Sequence, residues 1–284
     1  MVTLYSGTGK RIDIDTAAQD QNVTPWDDVL HRGWHEGIPD NVLPAFYLIR
    51  EKGYRWGECD VRISADGIPV LAHDETLTGT RNGVSTSYVI SDTNAADITS
   101  LVIATSEKYG EIHPCTLEAL LDLAKAIGIG LVLDIKNSAA TLNETNLKKL
   151  AAVVVGSGWA DHVIYMPGGG PNYAKYIQAI DRNASFDFVS IVKEPNSLPD
   201  LSAYTALLTG GNTVAFDFQG GVSDDVVDAV HNAGLGVSFW GISTADHFRH
   251  NPLRVTYSSY TYAHLGRDYI RQKQADLAAK YPTG

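Results

Sequence analysis

Short apolar runs alternate with amphipathic patterns of helical period from about residue 28 to the end of this 284-residue chain. The apolar runs predict eight strands, at 29–31, 56–61, 130–135, 162–165, 186–191, 213–218, 236–240 and 254–257. The intervening patterns predict helices at 42–51, 117–127, 143–155, 173–180, 200–208, 224–233 and 245–250. Strands that alternate with helices form a parallel sheet. Eight such units over about 250 residues fit an α/β fold of the closed (β/α)8 TIM-barrel type better than an open sheet.

Two segments lie outside this alternation. Residues 1–25 are polar, and we expect them to form an N-terminal arm or linker. Residues 26–284 then make a single barrel domain with an insertion at about 62–113, after the second strand. The insertion begins with Asp66-Gly67 between two apolar runs, which predicts a hairpin. It continues through 75–113, a stretch rich in Thr, Ser, Asn and Gly that is too long for an ordinary connection between a strand and a helix.

Composition and charge narrow the classes of function. Hydrophobic residues make up 44% of the chain and charged residues 19%, which excludes a disordered chain. Lys and Arg number 22 against 33 Asp and Glu, so the formal net charge is −11. This charge disfavours nucleic acid as a partner and gains nothing from an anionic membrane. A phosphate-containing ligand would need a local cationic site, which a bound divalent metal supplies compactly.

The chain has no apolar stretch long enough to span a bilayer, and residues 1–10 lack the apolar core of a secretory signal. We therefore expect a soluble protein without stable membrane insertion. Its compartment stays open: the cytoplasm is the default, and a phage assembly or an excised secreted domain are the alternatives. Cys59 and Cys115 are the two cysteines. They permit at most one disulfide, and two reduced thiols are the expectation.

His31-Arg32-Gly33 stands where the first strand is predicted to end. Histidine titrates near neutral pH, so His31 is a candidate general acid or base. Arg32 carries a planar set of donors that suits phosphate or carboxylate, and Gly33 permits a tight turn. Taken alone, the tripeptide is also typical of a solvated surface loop.

Glu58 and Asp60 lie two residues apart on the predicted second strand, so both face one side and Cys59 faces the other. Two carboxylates this close repel each other unless a cation or a shared proton lies between them. Hard oxygen ligands of this kind suit Mg²⁺ or Ca²⁺. A pair of solvent-facing acids is the alternative, and such pairs are common in acidic proteins.

Three other strand ends carry candidate chemistry. His73 follows the predicted hairpin, which could return its imidazole towards the two carboxylates. Asp134 and Lys136 close the third strand and share one face. In a barrel, Asp134 could complete a metal site and Lys136 could hold an anionic oxygen. Trp240 ends the seventh strand, where an aromatic ring packs against the core or shapes a substrate channel.

Taken in order, these motifs resemble the glycerophosphodiester phosphodiesterase family. The resemblance is dense from about residue 28 to 136 and thinner beyond. It comprises His31-Arg32-Gly33, Pro39-Asp40-Asn41 with Ala45, Gly53, Glu58-Cys59-Asp60-Val61, Asp66-Gly67, Pro69-Val70, His73-Asp74 with Leu77, Thr116-Leu117-Glu118, Asp134-Ile135-Lys136 and Trp240. Asp134 stands where the family has Glu, and residues 240–243 depart from its Trp-Thr-Val-Asn after the tryptophan.

The resemblance implies a (β/α)8 barrel with a small insertion after the second strand. It implies hydrolysis of glycerophosphodiesters to an alcohol and glycerol 3-phosphate with one divalent metal ion, Mg²⁺ or Ca²⁺, in some relatives through a cyclic phosphate. By position it assigns catalysis to His31 and His73, metal binding to Glu58, Asp60 and Asp134, and phosphate or substrate binding to Arg32, Lys136 and Trp240. Which histidine is the acid and which the base stays open.

Other functions fit the sequence less well. A depolymerase of polymeric glycerol phosphate, as in teichoic acids, is a variant that would suit a chain mounted in a larger assembly. A phospholipase-type enzyme on intact lipid is disfavoured by the net charge of −11. A glycosidase is disfavoured because Glu58 and Asp60 lie too close together to flank a sugar bond from opposite sides. Retention of both histidines and all three acids argues against a non-catalytic binding module.

Overall fold

Strands and helices alternate along the chain in the computed structural model, which describes residues 2–5, 11–14, 27–136, 142–192, 194–219, 222–240 and 254–257. The strands in these ranges are β1 (Val2–Tyr5), β2 (Arg11–Ile14), β3 (Asp27–Leu30), β4 (Trp56–Ile63), β5 (Pro69–Leu71), β6 (Thr76–Arg81), β7 (Val84–Val89), β8 (Ala104–Ser106), β9 (Gly110–Ile112), β10 (Gly130–Ile135), β11 (Val163–Pro167), β12 (Ser185–Ser190), β13 (Val214–Gln219), β14 (Gly236–Trp240) and β15 (Arg254–Tyr257). The α-helices are α1 (Leu43–Glu51), α2 (Ala95–Ile98), α3 (Leu117–Ile127), α4 (Glu144–Ser157), α5 (Pro171–Gln178), α6 (Ser202–Thr205) and α7 (Asp224–Asn232). Single 3₁₀ turns occur at Ile90–Asp92, Ala160–His162 and Pro195–Ser197.

Eight parallel strands close into a barrel. Around the ring they follow the order β3, β4, β10, β11, β12, β13, β14 and β15, and β15 pairs back with β3. All eight pairings in the ring are parallel. The predicted TIM barrel is therefore confirmed, and each of the eight predicted strands corresponds to one strand of the ring.

The two faces of each barrel strand pack against different surroundings. On β4, the side chains of Cys59, Val61 and Ile63 join the main core between the barrel and its helices. Glu58 and Asp60 alternate with them and face the barrel interior. The lower part of that interior is filled by a small apolar cluster of Val29, Trp56, Val132, Ile164 and Met166.

Side-chain caps fix where the helices on either side of β10 begin. The Thr116 hydroxyl accepts the amide of Ala119 at the start of α3, and the Asn143 side chain accepts that of Asn146 at the start of α4. These helices match the predicted ones closely. None of the helices in the described ranges has the length and apolar character that a bilayer crossing requires.

Two of the predicted helices do not correspond to a helix of the same length in the described residues. The prediction of a helix at 200–208 is wrong in length, because α6 (Ser202–Thr205) has only one turn. After it, the amides of Leu207 and Leu208 bond to carbonyls three residues back, which is the tighter 3₁₀ pattern, and Gly210 and Gly211 follow. The helix predicted at 245–250 lies outside the described residues.

The segment between β4 and α3 forms small antiparallel sheets. β5 pairs with the end of β4, and the Asp66-Gly67 turn connects the two strands. β6 pairs with β7, and β8 pairs with β9. Single bridges join Thr80 to Val102 and Val70 to Thr116, so the segment is tied together and to the barrel. Near the chain start, β1 and β2 also form an antiparallel pair; the rest of the predicted arm at 1–25 lies outside the described residues.

Candidate active site

Three carboxylates meet at the carboxyl ends of β4 and β10. Glu58 and Asp60 are almost fully buried, with exposed fractions of 3% and 0%. Asp134 on β10 stands opposite Asp60 in the parallel register. One oxygen from each of the three side chains lies within 4.8 Å of the other two. The two-residue period and the shared register therefore bring together the three acids that the sequence predicted as metal ligands.

Burial sets the protonation preference of this cluster. It raises the pKa of the Glu58 carboxyl well above its ordinary value, and the charges of Asp60 and Asp134 act in the same direction. It also raises the pKa of Asp134, although Lys136 opposes the change. At Asp60, burial is outweighed by Lys136 and by the other partners of the carboxylate, and the pKa is lowered. The cluster therefore disfavours three simultaneous negative charges unless a further cation is present.

Lys136 is the first cation beside the cluster. Its Nζ lies 2.7 Å from Asp60 Oδ1 and also contacts Asp134 Oδ2. Its backbone amide donates to the carbonyl of Val61, which fixes the chain just beyond β10. Burial alone would lower the pKa of Lys136, but the two carboxylates outweigh it and the pKa is raised. The side chain is therefore an ammonium at neutral pH.

Arg32 is the second cation, and its contacts begin with its backbone. The residue adopts a left-handed conformation with φ of 59°, and its amide donates to Glu58 Oε2 at 3.0 Å. Its guanidinium Nε lies 2.9 Å from Asp60 Oδ2, and Nη1 lies 3.3 Å from Asp40 Oδ2. Arg32 thus touches both carboxylates of β4.

His31 directly follows β3 and borders the cluster. Its Nε2 lies 3.9 Å from Glu58 Oε2, and its side chain is 31% exposed. Burial, together with the neighbouring charge of Arg32, lowers the pKa of His31 to about 4. The imidazole is therefore neutral at pH 7 in this environment, and it is partly open to solvent.

His73 follows β5 and lies near Asp134 of the cluster. Its side chain is 46% exposed, and its Nδ1 lies 2.8 Å from Asp74 Oδ1. It is close enough to Asp134 to lower the pKa of that carboxyl by its charge. Because Nδ1 is engaged by Asp74, Nε2 is the ring nitrogen left for other partners.

Trp240 is the one predicted site residue that the structure does not join to this cluster. It ends β14, where it stands opposite Gln219 in register. Its indole Nε1 is buried and has no hydrogen-bond partner among the described residues. Trp240 and Ser238 lie two residues apart on β14 and therefore share one face of the strand. The Ser238 hydroxyl donates to the Asp187 carboxylate across the barrel interior. A substrate contact for Trp240 stays a prediction.

Asn41 is a site residue that sequence reasoning missed. Its Nδ2 donates to Asp60 Oδ2 at 2.7 Å, and the Asp60 amide donates to its Oδ1 at 3.0 Å. Its own amide donates to the carbonyl of Arg32 at 3.1 Å. The motif Pro39-Asp40-Asn41 marks the position, but the sequence gives no sign that this loop meets β4.

The family model described as "Glycerophosphoryl diester phosphodiesterase family" matches residues 31–269, which is most of the chain. The chain belongs to this family. The predicted resemblance is confirmed, and it extends well beyond the dense region at 28–136.

Individual relatives of the family are distant from this chain. The glycerophosphodiester phosphodiesterase of Caldanaerobacter subterraneus is 40% identical over 55 residues, which is 19% of this chain and 23% of that protein. The match thus spans less than a quarter of the length of this curated relative. A glycerophosphodiester phosphodiesterase structure from Parabacteroides distasonis has a TM-score of 0.65 at 18% identity and covers 88% of this chain and 98% of its own.

A phosphodiesterase from Oleispira antarctica, solved in complex with the product sn-glycerol-3-phosphate, has a TM-score of 0.65 at 19% identity. The alignment covers 85% of this chain and 96% of that one. At this level of identity, the two solved structures show that this chain shares their fold, and they do not assign a role to any individual residue.

The donor set fits the divalent metal that the family resemblance implies. Among the described residues, the three carboxylates are paired with two cationic side chains, Arg32 and Lys136, and Arg32 is shared with Asp40, so the negative charge of the cluster is not fully compensated. All three candidate ligands are hard oxygen donors, which Mg²⁺ and Ca²⁺ prefer. Asp134 in place of the family's Glu still brings an oxygen within reach of the other two carboxylates.

Both cysteines are free thiols, as predicted. Cys59 lies between the two candidate ligands of β4 but faces the opposite, apolar side of the strand. Burial raises the pKa of Cys59 well above its ordinary value and raises that of Cys115 to about 12. Neither thiol is a nucleophile or a metal ligand in this environment.

Proposed function

We propose that this chain hydrolyses glycerophosphodiesters to an alcohol and glycerol 3-phosphate. The observation that carries the proposal is the buried cluster of Glu58, Asp60 and Asp134, bordered by two cationic side chains and two histidines at the mouth of the barrel. Membership of the family supports the reaction class. The Oleispira antarctica phosphodiesterase, a relative of the same fold, is described with glycerol 3-phosphate as its product, which supports the substrate class.

Glu58, Asp60 and Asp134 would together hold one divalent ion, Mg²⁺ or Ca²⁺. When bound, such an ion withdraws charge from the phosphoryl oxygens and makes the phosphorus easier to attack. The amide of Arg32, which donates to Glu58 Oε2, and the side chain of Asn41, which grips Asp60, hold two of these ligands in place. Side chains that orient metal ligands in this way sustain both affinity and activity.

Arg32 and Lys136 would bind the phosphoryl group. Both cations already border the carboxylates, and both side chains are 20% exposed, so a phosphate entering from the mouth can reach them. A guanidinium can grip two phosphate oxygens at once, and an ammonium contributes a compact charge. Their donors would stabilise the negative charge that shifts onto the phosphoryl oxygens in the transition state.

His31 and His73 would move the protons. One imidazole accepts a proton from the attacking hydroxyl, and the other protonates the leaving alkoxide. They border the carboxylate cluster from two different loops, after β3 near Glu58 and after β5 near Asp134, so each imidazole can serve one of the two proton transfers. The attacking hydroxyl belongs either to water or to the glycerol of the substrate, and the second route passes through a cyclic phosphate.

The test is release of glycerol 3-phosphate from glycerophosphocholine, with and without EDTA. We expect the wild-type activity to be lost in EDTA and restored by Mg²⁺ or Ca²⁺. We expect His31→Ala and His73→Ala each to lower kcat about 10²- to 10⁴-fold. His231→Ala, which removes an exposed histidine of α7, is the matched control and should retain activity. Full activity of either site variant, or of the EDTA-treated enzyme, would contradict the proposal.

The same assay separates the substrate variants. Glycerophosphocholine, a polymeric glycerol phosphate and intact phospholipid in liposomes are compared at equal phosphodiester concentration. We expect the small diester to have the highest kcat/KM, because the two cations and the carboxylate cluster provide for a single phosphodiester. A higher kcat/KM for the polymer would reassign the enzyme as a depolymerase, and turnover of liposomes alone would reassign it as a phospholipase.

A further inference from the structure

Arg62 stands on β4 two residues beyond Asp60, where the strand leaves the barrel and pairs with β5. Its guanidinium donates two hydrogen bonds to the backbone carbonyl of His73, from Nε at 2.9 Å and from Nη2 at 2.6 Å. The Arg62 side chain is 14% exposed, so most of it is packed in this position. The Arg62 side chain thus joins β4, the strand that carries Glu58 and Asp60, to His73, the second histidine of the site.

The backbone around His73 explains why this contact matters. The last sheet-type bond before it runs from the amide of Ala72 to the carbonyl of Asp60. The next backbone anchor is the carbonyl of Glu75, which accepts the amide of Ile90. Between these two anchors, His73 leaves the sheet, and its side chain is nearly half exposed. The guanidinium of Arg62 holds the intervening carbonyl.

The other partner of Arg62 is much weaker. Its Nη1 lies 4.0 Å from Glu75 Oε1, and the Glu75 side chain is 69% exposed, so solvent screens this ion pair. The paired hydrogen bonds to the His73 carbonyl are charge-assisted and directional, and they need the planar guanidinium that only arginine carries. The carbonyl is therefore the contact that fixes the side chain.

We propose that Arg62 is a positioning residue for His73. By holding the His73 carbonyl, it sets the place of the imidazole relative to Glu58 and Asp60 on the same strand. This inference rests on the proposed function, because it takes His73 as one of the two proton-transfer groups. Arg62 itself touches neither the carboxylate cluster nor the phosphate site that Arg32 and Lys136 border.

Steady-state kinetics test the role through the split between kcat and KM. We expect Arg62→Lys and Arg62→Ala to lower kcat about 10- to 100-fold, because small displacements of a catalytic group have effects of that size. KM should change little, because Arg62 does not contact the substrate. Arg81→Lys is the matched control: Arg81 donates to the Tyr88 hydroxyl and pairs with Asp97 in the same segment, away from His73. It should retain the wild-type kcat.

A double-mutant cycle with His73 separates positioning from a loss of folding. Arg62→Lys combined with His73→Ala is compared with His73→Ala alone at high enzyme concentration. If Arg62 acts through the imidazole, the added change has no further effect on kcat. A further loss of 10-fold or more in the double variant, or a wild-type kcat in Arg62→Lys, would overturn the proposal.

Side-chain NMR supplies a readout that does not depend on turnover. The imidazole resonances of His73, identified by their absence in His73→Ala, should shift and broaden in Arg62→Lys, whereas those of His113 should not. If the folded wild-type enzyme releases no glycerol 3-phosphate, the proposed function fails, and these resonances still decide whether Arg62 positions His73. Unchanged His73 resonances in Arg62→Lys would refute the positioning role.

Discussion

Gly33 packs directly against Ala45, with no room for a side chain between them. A Cβ on Gly33 would lie 2.9 Å from the Ala45 Cβ and 3.0 Å from its carbonyl carbon. The neighbouring amide of Trp34 donates to the carbonyl of Ala45 at 3.0 Å. The loop that carries His31 and Arg32 is therefore seated on the first turn of α1, and the contact helps to fix both side chains at the mouth of the barrel.

Gly33→Ala should therefore lower both stability and activity. The new methyl group meets backbone atoms that cannot move aside, so we expect a loss of about 1–3 kcal/mol in the free energy of unfolding. The strain of a side chain at φ +88° adds to it. Urea unfolding and glycerol 3-phosphate release measure the two effects.

Gly37→Ala is the control for Gly33→Ala. Gly37 lies in the same loop and has φ of +71°, but a Cβ there meets no atom within 4 Å. Only the conformational cost of about 1–2 kcal/mol applies, and kcat should not fall. Equal losses of activity in the two variants would show that close packing against Ala45 is not what positions the loop.

Asn41→Gly should weaken the site without straining the backbone. Asn41 has φ of +57°, which glycine adopts freely, so this variant removes only the two hydrogen bonds to Asp60. The buried Asp60 amide loses its partner, and the Asp60 carboxylate keeps Arg32 and Lys136 but loses the third of its partners. We expect a cost of about 1–3 kcal/mol and a lower kcat. Asn41→Ala adds the left-handed strain and should be less stable still. Wild-type stability and kcat in Asn41→Gly would contradict the role assigned to this side chain.

Replacing Asp134 tests the metal site directly by calorimetric titration with Mg²⁺ or Ca²⁺. Asp134→Asn should weaken binding at least about 10-fold, because an anionic donor is lost from the cluster. Asp134→Glu keeps the donor oxygen and should retain most of the affinity. Asp122→Asn changes the net charge equally at an exposed position of α3 and should bind as the wild type does. Equal affinities in all four proteins would exclude Asp134 as a ligand.

A buried carboxyl outside the site should produce a measurable pH dependence of stability. The Tyr165 hydroxyl donates to Asp181 Oδ2 at 3.0 Å, and burial raises the pKa of Asp181 above its ordinary value. A carboxyl whose pKa is raised on folding favours the folded state less as the pH rises from the unfolded pKa, about 3.9, through the folded one. Asp181→Asn keeps an acceptor for Tyr165 and has no charge to bury.

The expected outcome for Asp181→Asn follows from the direction of this pH dependence, in which the buried carboxyl destabilises the folded state as the pH rises. The variant should be at least as stable as the wild type at pH 7, and its advantage should shrink as the pH is lowered towards 4. Urea unfolding at several pH values measures the difference. A variant that is clearly less stable at pH 7, with an advantage that grows in acid, would reverse the assignment.

The parts of the site that lie on strands could be predicted from the sequence. Glu58, Asp60 and Asp134 follow a two-residue period on adjacent parallel strands, and strand geometry alone puts such residues on one face at one edge. His31 and Lys136 follow strand ends, so the same reasoning brings them near. For residues on these strands, the local sequence pattern determines where the side chain lies, because each strand of the barrel has the same geometry.

The parts that depend on loops could not be predicted in this way. The hydrogen bonds between Asn41 and Asp60 join residues that are 19 positions apart. Those from Arg62 to the His73 carbonyl join β4 to the segment that follows β5, where the chain folds back on itself. Neither contact follows a periodic pattern. The short α6 was missed for a similar reason, because side-chain periodicity does not reveal where the backbone changes from α to 3₁₀ bonding.

The alternation along β4 also protects the strand against misfolding. If β4 slipped by one residue against β10, Glu58 and Asp60 would face the apolar core between the barrel and its helices, and Cys59 and Val61 would face the barrel interior. Two uncompensated charges in that core would make the shifted pairing prohibitively unfavourable. A one-residue deletion within β4 is therefore expected to prevent folding outright, rather than to yield an inert but well-folded barrel.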